Sequence, residues 1–288
     1  MAKGARTMKH PTKTVVKKIG ILHHPKLEAS QKLAEEIRAL LADNGIDVHC
    51  GSAWNEGEIH SCAEDAELLI TLGGDGTIVR AARIAAPLGV PILSVNMGRL
   101  GFLAELQPWE VHDKLPTVLD GHYWLEERLM LRAELRRGKK SIGSYEALND
   151  IVVSRAAVAR VIRVSTMVNG EYLITYVADG VIVATPTGST AYALAAGGPI
   201  IDPSLRCLLV KPIAAHLTIA QALVLPPTCE VALDVSTEYG ALFTVDGQKD
   251  APLEDGDIVM VRASEHSCHL VRLRPPNYFY ATLLDRLR

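Results

Sequence analysis

The sequence lacks three features that would place it in other protein classes. None of its five cysteines forms a CxxC pair and their number is odd, which argues against a zinc site or a disulfide framework. No uninterrupted apolar run approaches the ~20 residues that a membrane-spanning helix needs. The formal net charge of −3 provides no general attraction to nucleic acid or anionic membranes. We therefore expect neither nucleic acid nor membrane as a partner.

The beginning of the sequence does not have the pattern of a secretory signal. Residues 1–18 are basic, but no apolar region with a cleavage-like site follows them. We interpret the cysteines as reduced thiols, and the sequence then predicts a cytoplasmic protein.

The chain up to residue 118 alternates strand-like and helix-like patterns, as a parallel α/β sheet requires. Residues 27–44 have apolar side chains at helical spacing and end before Gly45, and the alanine-rich residues 77–86 predict another helix. The strand-like segments are residues 15–22, 68–72 and 91–95. This pattern predicts a Rossmann-like α/β domain over residues 1–118.

After residue 118 the sequence is dominated by β-branched and aromatic runs. Asn169-Gly170 lies between two of them and is a strong hairpin signal. The strand-like runs are residues 124–135, 147–153, 161–168, 172–177, 230–236, 241–245, 257–263 and 268–273. They predict a β-rich, sandwich-like domain over residues 119–270. Residues 278–287 return to helical spacing, and we expect residues 271–288 to pack on the first domain.

The segment GGDGT ends an apolar strand and begins a helix, where open α/β folds bind ligands. Gly73, Gly74 and Gly76 leave room for a phosphate near the backbone, and the N–H groups at a helix start favour an anion. Asp75 is unusual here because a carboxylate repels phosphate unless a proton transfer or a metal requires it. Thr77 is a candidate helix cap.

Local chemistry leaves alternatives for this segment. A plain tight turn, with Asp75 as a turn or cap residue, uses the same residue types. The segment is not a Walker A motif, because no GK[ST] follows, and it is not the GxGxxG fingerprint of dinucleotide-binding folds. Arg80, one turn into the predicted helix, either reaches a phosphate or belongs to a solvated helix face.

Several segments, in order along the chain, resemble the NAD kinase family. GGDGT by itself is shared by NAD kinases, diacylglycerol and sphingosine kinases and, in variant form, phosphofructokinases. The more specific segments are NMGRLGFL from Asn96, the pair Asn149-Asp150, the stretch from Asp179 through TPTGSTAY to Tyr192, GGP from Gly197, and DGQ from Asp246. The similarity begins near residue 19 and extends to the end of the sequence.

The resemblance implies an enzyme that transfers the γ-phosphoryl group of ATP to the adenosine ribose 2′-hydroxyl of NAD, giving NADP and ADP. It implies a homodimer or homotetramer, with NAD bound between two domains and near a subunit interface. Mg²⁺ is expected to arrive with ATP, since no cluster of Asp or Glu at ligand spacing suggests a protein metal cage. Polyphosphate as an alternative phosphoryl donor stays open.

The resemblance also implies roles for individual residues. Asp75 matches the catalytic carboxylate, which we expect to orient the 2′-hydroxyl and to accept its proton late in a loose transition state. The expected ATP-phosphate ligands are Gly73, Gly74, Gly76, Thr77 and Arg80. The expected NAD-binding residues are Asp75, Gly76, Arg80, Asn149, Asp150, Arg160, Val177, Asp179, Thr190, Ala191, Tyr192, Ala193, Leu194, Ala195, Ala214 and Gln248.

Some of these residue types have a chemical reason as well as a weaker alternative. Asn149 suits a purine edge or a ribose hydroxyl and Asp150 suits a ribose diol, although both residues also fit a loop turn. Tyr192 is able to stack on a base, although a lone tyrosine on a helix is more often part of a core. 

Five positions depart from the commoner residues of the family: Val177, Ala195, Ala215 and the pair Gln221-Ala222. They bear on NAD affinity and on the preference between NAD and NADH, and not on the phosphoryl-transfer loop. Two other functions remain open. A lipid kinase with the same loop needs an apolar channel, which the polar, hydroxyl-rich segment up to Tyr192 does not favour. A non-catalytic NADP-binding sensor has no need of an intact Asp75.

Overall fold

A computed structural model describes residues 16–99, 101–157, 160–216 and 219–287. Most of the basic segment at residues 1–18 lies outside these ranges. The strands are β1 (Lys18–His23), β2 (Asp47–Ser52), β3 (Leu68–Gly73), β4 (Ile92–Asn96), β5 (Trp124–Arg137), β6 (Lys140–Ala147), β7 (Asp150–Arg155), β8 (Ile162–Val168), β9 (Glu171–Ala178), β10 (Gly180–Ala184), β11 (Leu208–Ile213), β12 (Leu223–Leu225), β13 (Glu230–Ser236), β14 (Ala241–Val245), β15 (Lys249–Leu253) and β16 (Asp257–Arg272). The α-helices are α1 (Glu28–Asp43), α2 (Glu56–Ala63), α3 (Asp75–Ala85), α4 (Val111–Leu119), α5 (Tyr192–Ala195) and α6 (Tyr278–Leu287).

The chain divides into two compact units. The first runs up to Glu127 and includes the chain from Cys268 onward, and the second is Arg128–Ser267. The sequence predicts boundaries after residues 118 and 270, so the structural boundaries lie elsewhere, within β5 and β16. None of the helices in the described ranges is long and apolar enough to span a bilayer.

The first unit contains the predicted parallel sheet, with strand order β2-β1-β3-β4. The C-terminal end of β16 adds next to β4, where Leu270 pairs with Ile92 in parallel. Helix α1 buries Leu33, Ile37 and Leu41 against one face of this sheet, as the helical spacing predicts. The carboxyl ends of β1, β3 and β4 therefore share one edge, and GGDGT follows β3 at that edge.

The second unit is the predicted β-sandwich. One antiparallel sheet has the order β12-β11-β10-β7-β14-β15, and in the other β16, β13, β8 and β9 are neighbours, with β5 pairing with β16 and β6. Alternate residues of both sheets form one core, which contains Tyr176, Val183, Leu233 and Phe243. Asn169 (φ +52°) and Gly170 (φ +83°) form the predicted hairpin turn between β8 and β9.

The C-terminal segment belongs to the first unit, and the predicted helix at its end is α6. Arg272 is buried and contacts Glu105 at 3.2 Å and Glu126 at 2.7 Å. In α6, the Arg286 guanidinium donates to the Phe102 carbonyl over 2.9 Å, and the Phe279 ring lies 6.3 Å from the Phe102 ring. The helix thus contacts the segment that follows β4.

Three predictions about elements are wrong in detail. Residues 257–263 and 268–273 belong to one long strand, β16, although polar residues between them break the apolar pattern. Residues 147–153 divide between the end of β6 and the start of β7. Helix α3 begins at Asp75, two residues before the predicted start at Thr77.

Candidate functional site

The GGDGT segment joins the fully buried strand β3 to helix α3. Gly74 precedes the helix and Asp75 is its first residue, so Asp75, Gly76 and Thr77 form the first turn. The backbone N–H groups of this turn and the helix dipole favour an anion at the edge of the sheet. A Cβ at Gly74 would meet no atom within 4 Å, so the backbone is open to an approaching group there.

The structure corrects the expected capping role of Thr77. Its side chain is buried inside the first turn, and no side-chain cap bond is made at the helix start. A Cβ at Gly73 would lie 2.0 Å from Thr77 Oγ1, so Gly73 has to lack a side chain for Thr77 to pack there. Thr77 therefore shapes the loop from inside.

The Asp75 carboxylate is held by the segment that follows β4. The Phe102 N–H donates to Oδ2 over 2.8 Å, and the Leu103 N–H donates to Oδ1 over 3.2 Å. A Cβ at Gly101 would lie 2.2 Å from Oδ1. Each carboxylate oxygen can accept more than one hydrogen bond, so Asp75 keeps the capacity to accept a hydroxyl proton. The sequence marks this segment as family-like but does not indicate that it contacts Asp75.

Arg80 does not lie on a solvated helix face. Its guanidinium carbon lies 4.7 Å from the centre of the Trp54 ring, which in turn lies 4.2 Å from the ring of His24. Trp54 follows β2 and His24 follows β1, so both belong to the carboxyl edge of the sheet. The stacked guanidinium is consequently presented at the same edge as GGDGT. Sequence reasoning missed Trp54, for which the only signal is an aromatic residue at a strand end.

In the second unit, several expected NAD-binding residues line one cavity of about 300 Å³. Its lining comprises Asn149, Asp150, Val152, Ser154, Ala191, Tyr192, Thr244, Asp246 and Gly247. Tyr192 is 46% exposed, so its ring is not part of a core and remains available to a ligand. The cavity thus combines an exposed aromatic ring with the Asn149 amide and two carboxyl groups.

Asp150 is buried at the start of β7. Burial, and to a smaller extent the neighbouring Asp246 carboxylate, raise the pKa of Asp150 to about 7. Near neutral pH the Asp150 carboxyl is therefore protonated in some protein molecules, where it can donate a hydrogen bond, and ionised in the others, where it only accepts. This property suits the recognition of hydroxyl groups.

The TPTGST segment lies against the Asn149 backbone. The Thr185 hydroxyl donates to the Leu148 carbonyl over 2.6 Å, and the Thr185 N–H donates to the Asn149 carbonyl over 2.8 Å. A Cβ at Gly188 would lie 2.0 Å from the Asn149 oxygen. The TPTGST segment and the pair Asn149-Asp150 are therefore distant in sequence but adjacent in the fold.

The residues after this segment have different environments. The Thr190 hydroxyl donates to the Thr187 carbonyl over 3.0 Å. Ala193 is buried in a small core, Leu194 is half-buried and Ala195 is exposed. Of the expected residues in α5 and directly before it, Ala191 and Tyr192 are therefore those that line the cavity.

Other expected NAD-binding residues lie elsewhere in the second unit. The Asp179 carboxylate pairs with Arg155 at 2.8 Å, and the Asp179 N–H donates to the Ile213 carbonyl. The Val177 carbonyl accepts the His216 N–H over 2.8 Å, and Ala214, two residues before His216, has a φ of +45°. Arg160 is stacked on Tyr239 at 4.8 Å. Gln248 follows the cavity-lining turn, where its N–H donates to the Val245 carbonyl.

Within the described ranges, no group of three or more His, Cys, Asp or Glu side chains could hold a metal ion. The acidic groups are distributed instead, with Asp75 beside the glycine loop of the first unit and Asp150 with Asp246 in the second. A divalent cation at Asp75 would need most of its ligands from outside the protein.

Two family models match the chain. The ATP-NAD kinase N-terminal domain matches residues 52–123, and the ATP-NAD kinase C-terminal domain matches residues 148–273. An NAD kinase from Chloroflexus aggregans is 42% identical over 274 residues, which cover 95% of this chain and 99% of that protein. An NAD kinase from Heliobacterium modesticaldum is 45% identical over 223 residues, which cover 77% and 79%.

Solved structures share the fold. The yeast NADH kinase in complex with NADH aligns with a TM-score of 0.82 at 24% identity and covers 95% of this chain and 88% of its own. An NAD kinase from Archaeoglobus fulgidus in complex with ATP aligns with a TM-score of 0.75 at 24% identity and covers 94% and 98%. Together with the family models and the relatives above 40% identity, the fold leaves one assignment: the chain belongs to the NAD kinase family.

Proposed function

We infer that this protein transfers the γ-phosphoryl group of ATP to the adenosine ribose 2′-hydroxyl of NAD and releases NADP and ADP. The observation that carries this function is the position of Asp75. It is the first residue of α3, next to the open backbone of the glycine loop, with its carboxylate held by two backbone N–H groups. Relatives named NAD kinase, matched over nearly the whole chain, support the same reaction.

The proposed step is a direct transfer. The bond between the γ-phosphorus and the ADP oxygen breaks, and a bond from phosphorus to the ribose 2′-oxygen forms. In a loose transition state the nucleophile need not ionise first, so the hydroxyl proton passes late to the Asp75 carboxylate and then to solvent. Asp75 orients the hydroxyl by accepting its hydrogen bond, and the N–H donors of Phe102 and Leu103 fix the carboxylate for this task.

We propose that the ATP phosphates bind at the start of α3. Gly74 leaves the backbone accessible, the positive end of the helix dipole favours an anion, and the stacked Arg80 adds a positive charge at this edge of the sheet. Mg²⁺ would spread the charge of the phosphates, and Asp75, the carboxylate within the GGDGT loop, would be its protein ligand. Its other ligands would be phosphate oxygens and water.

We propose that NAD occupies the cavity beside Asn149, Asp150 and Tyr192. An exposed ring next to an amide and a carboxyl suits a nucleotide base and its ribose. An acyl chain would leave the Asn149 amide and the carboxyl groups of the lining without partners, which weighs against a lipid substrate. 

Further properties follow as proposals from the resemblance. We propose a cytoplasmic enzyme, in agreement with five cysteines that are all free thiols, and an assembly of two or four copies. Polyphosphate is a second donor to test, since the site proposed for the phosphates consists mainly of backbone groups.

The test is an assay of the purified protein with ATP, Mg²⁺ and NAD, in which NADP is quantified by an NADP-specific dehydrogenase. We expect NADP to accumulate with ATP consumption in equal amounts, and the Asp75→Asn variant to serve as the background. Parallel reactions contain diacylglycerol or sphingosine in place of NAD. Absence of NADP above that background, or phosphorylation of a lipid instead, would overturn the proposed function.

A further inference from the structure

Asp246, in the turn between β14 and β15, binds the backbone of three consecutive residues of another segment. Its carboxylate accepts the N–H groups of Leu148 at 3.1 Å, Asn149 at 2.7 Å and Asp150 at 3.1 Å. In return, the Asp246 N–H donates to the Asp150 carbonyl over 2.9 Å. Four hydrogen bonds therefore connect one aspartate to the segment that separates β6 from β7.

The turn conformation explains why this position accepts an aspartate. Asp246 has a φ of +51° and Gly247 a φ of +62°, which is the left-handed region. Aspartate and asparagine tolerate this region better than other residues with a side chain. The Gln248 N–H closes the turn onto the Val245 carbonyl over 2.9 Å. The carboxylate thus comes from a fixed turn and not from a mobile loop.

The carbonyl groups of the same segment are bound from the other side. The Thr185 hydroxyl and N–H donate to the Leu148 and Asn149 carbonyls, and Gly188 packs against the Asn149 oxygen. Asp246 binds the three N–H groups and the Asp150 carbonyl, and Thr185 binds the Leu148 and Asn149 carbonyls, so the backbone of the segment is held from both sides. The positions from which the Asn149 and Asp150 side chains extend are fixed with it.

We propose that Asp246 is a positioning residue for the acceptor nucleotide: its carboxylate fixes the backbone of residues 148–150 so that Asn149 and Asp150 present their side chains to the cavity. This inference rests on the proposed function, because it assigns NAD to that cavity. Three N–H donors stabilise a charged acceptor, and the charge lies beside the buried Asp150. Asp246 therefore influences both the direction and the protonation of Asp150.

The test is Asp246→Asn. Asparagine keeps the volume and tolerates the left-handed turn, but it has one acceptor oxygen and no charge, so the three N–H groups cannot all be satisfied. Hydrogen bonds to a charged group are worth ~1.5–3 kcal/mol, which is roughly ten- to hundredfold in affinity. We expect the NAD dissociation constant from calorimetry and the KM for NAD to rise by about that factor, while the KM for ATP changes less than about threefold. Asp250→Asn, the same change at an exposed position of the neighbouring strand β15, is the matched control.

A second readout distinguishes positioning from general destabilisation. Burial is the main cause of the raised pKa of Asp150 and the Asp246 charge adds to it, so removal of that charge should move the pH midpoint of NAD binding to lower values. Asp246→Glu keeps the charge but places it one methylene further from the backbone, so NAD affinity should fall while the pH midpoint of NAD binding stays unchanged. This variant also tests the positioning role if the Asp246→Asn variant does not fold.

The outcomes distinguish a failure of the proposed function from a failure of the positioning role of Asp246. If the wild-type protein does not bind NAD in the calorimeter, the proposed function fails. If the wild type binds NAD and both Asp246 variants bind it equally well, the positioning role alone is overturned. A parallel rise of both KM values in Asp246→Asn, without a change in the pH midpoint, would also overturn it.

Discussion

The Asp75 carboxylate accepts the Phe102 N–H over 2.8 Å, which connects the first turn of α3 to the segment that follows β4. The adjacent Leu103 N–H reaches the other carboxylate oxygen. Phe102 is itself bound by the C-terminal helix, because its carbonyl accepts from Arg286. The proposed proton acceptor is thus positioned by backbone groups that lie far from it in sequence. Two predictions follow from this arrangement.

The first concerns the chemical step. Asp75→Asn keeps the size and one acceptor oxygen of the side chain but removes its ability to accept a proton. General-base assistance is typically worth ~10²–10⁴-fold in rate, and we expect kcat to fall by that order while the melting temperature changes little. Steady-state kinetics with both substrates varied provide the measurement. A kcat within about threefold of the wild type would remove Asp75 from its assigned role.

The second concerns the carboxylate's orientation. In Gly101→Ala the new Cβ would lie 2.2 Å from Asp75 Oδ1, so the carboxylate has to move and lose its backbone donors. A displacement of ~1 Å can cost ~10²-fold in rate, and we expect kcat to fall by about that factor in a folded protein. Gly98→Ala is the control, since a Cβ there meets no atom within 4 Å. Equal kcat values for the two variants would contradict the positioning of Asp75 by this segment.

A feature of this site can be predicted from the sequence when its residues lie close together along the chain. GGDGT and Asn149-Asp150 are contiguous, so their residues are visible as motifs, and periodicity is sufficient for β3 and α1. The partners Phe102 and Asp246 are visible only as parts of motifs, because their contacts join residues separated by 27 and 96 or more positions. No local pattern specifies such a contact.

The errors in the predicted elements have a similar cause. The polar residues between the two apolar parts of β16 suggest a break, but the strand is continuous through them and pairs with β4, β5 and β13. Conversely, residues 147–153 are predicted as one strand, and the strand is interrupted where the Leu148 and Asn149 N–H groups bind Asp246. In both cases tertiary hydrogen bonding overrides the local pattern.

The third prediction concerns the attachment of the C-terminal segment. The buried Arg272 guanidinium contacts the carboxylates of Glu105 and Glu126, so Arg272→Met leaves the buried Glu105 and the half-buried Glu126 without that positive charge. Breaking a buried ion pair from one side typically costs about 3–5 kcal/mol, and we expect the free energy of unfolding to fall by that amount in urea denaturation. The control is Arg38→Met, which removes the partner of Glu35 on the exposed surface of α1. This substitution should change the free energy of unfolding little. If the free energy of unfolding fell by similar amounts in the two variants, the Arg272 ion pairs would not be what attaches the C-terminal segment.

The fourth prediction is a pH dependence of stability. Burial raises the pKa of Asp150 from its ordinary 3.8 to about 7, so the folded protein favours the neutral carboxyl. A raised folded pKa contributes stability that is complete below the unfolded value and is lost as the pH rises through the folded value. Wild-type stability should therefore decline between about pH 4 and pH 8 relative to Asp150→Asn, whose amide does not titrate. Denaturation curves at pH 5 and pH 8 measure the difference, and a constant difference between the two proteins would contradict the raised pKa.

The last prediction separates the two proposed nucleotide sites. Asp150 lines the cavity assigned to NAD, whereas Asp75 lies beside the loop assigned to the transferring phosphoryl group. Removing the carboxyl in Asp150→Ala deletes hydrogen bonds to NAD, which above the pKa involve a charged group worth ~1.5–3 kcal/mol. At pH 8 we expect the KM for NAD to rise roughly ten- to hundredfold while the KM for ATP moves little. Asp75→Asn should instead lower kcat more than it weakens NAD binding, because the Asp75 carboxylate acts in the transition state. If both substitutions raised the two KM values in parallel, the assignment of NAD and the phosphoryl group to separate sites would have to be abandoned.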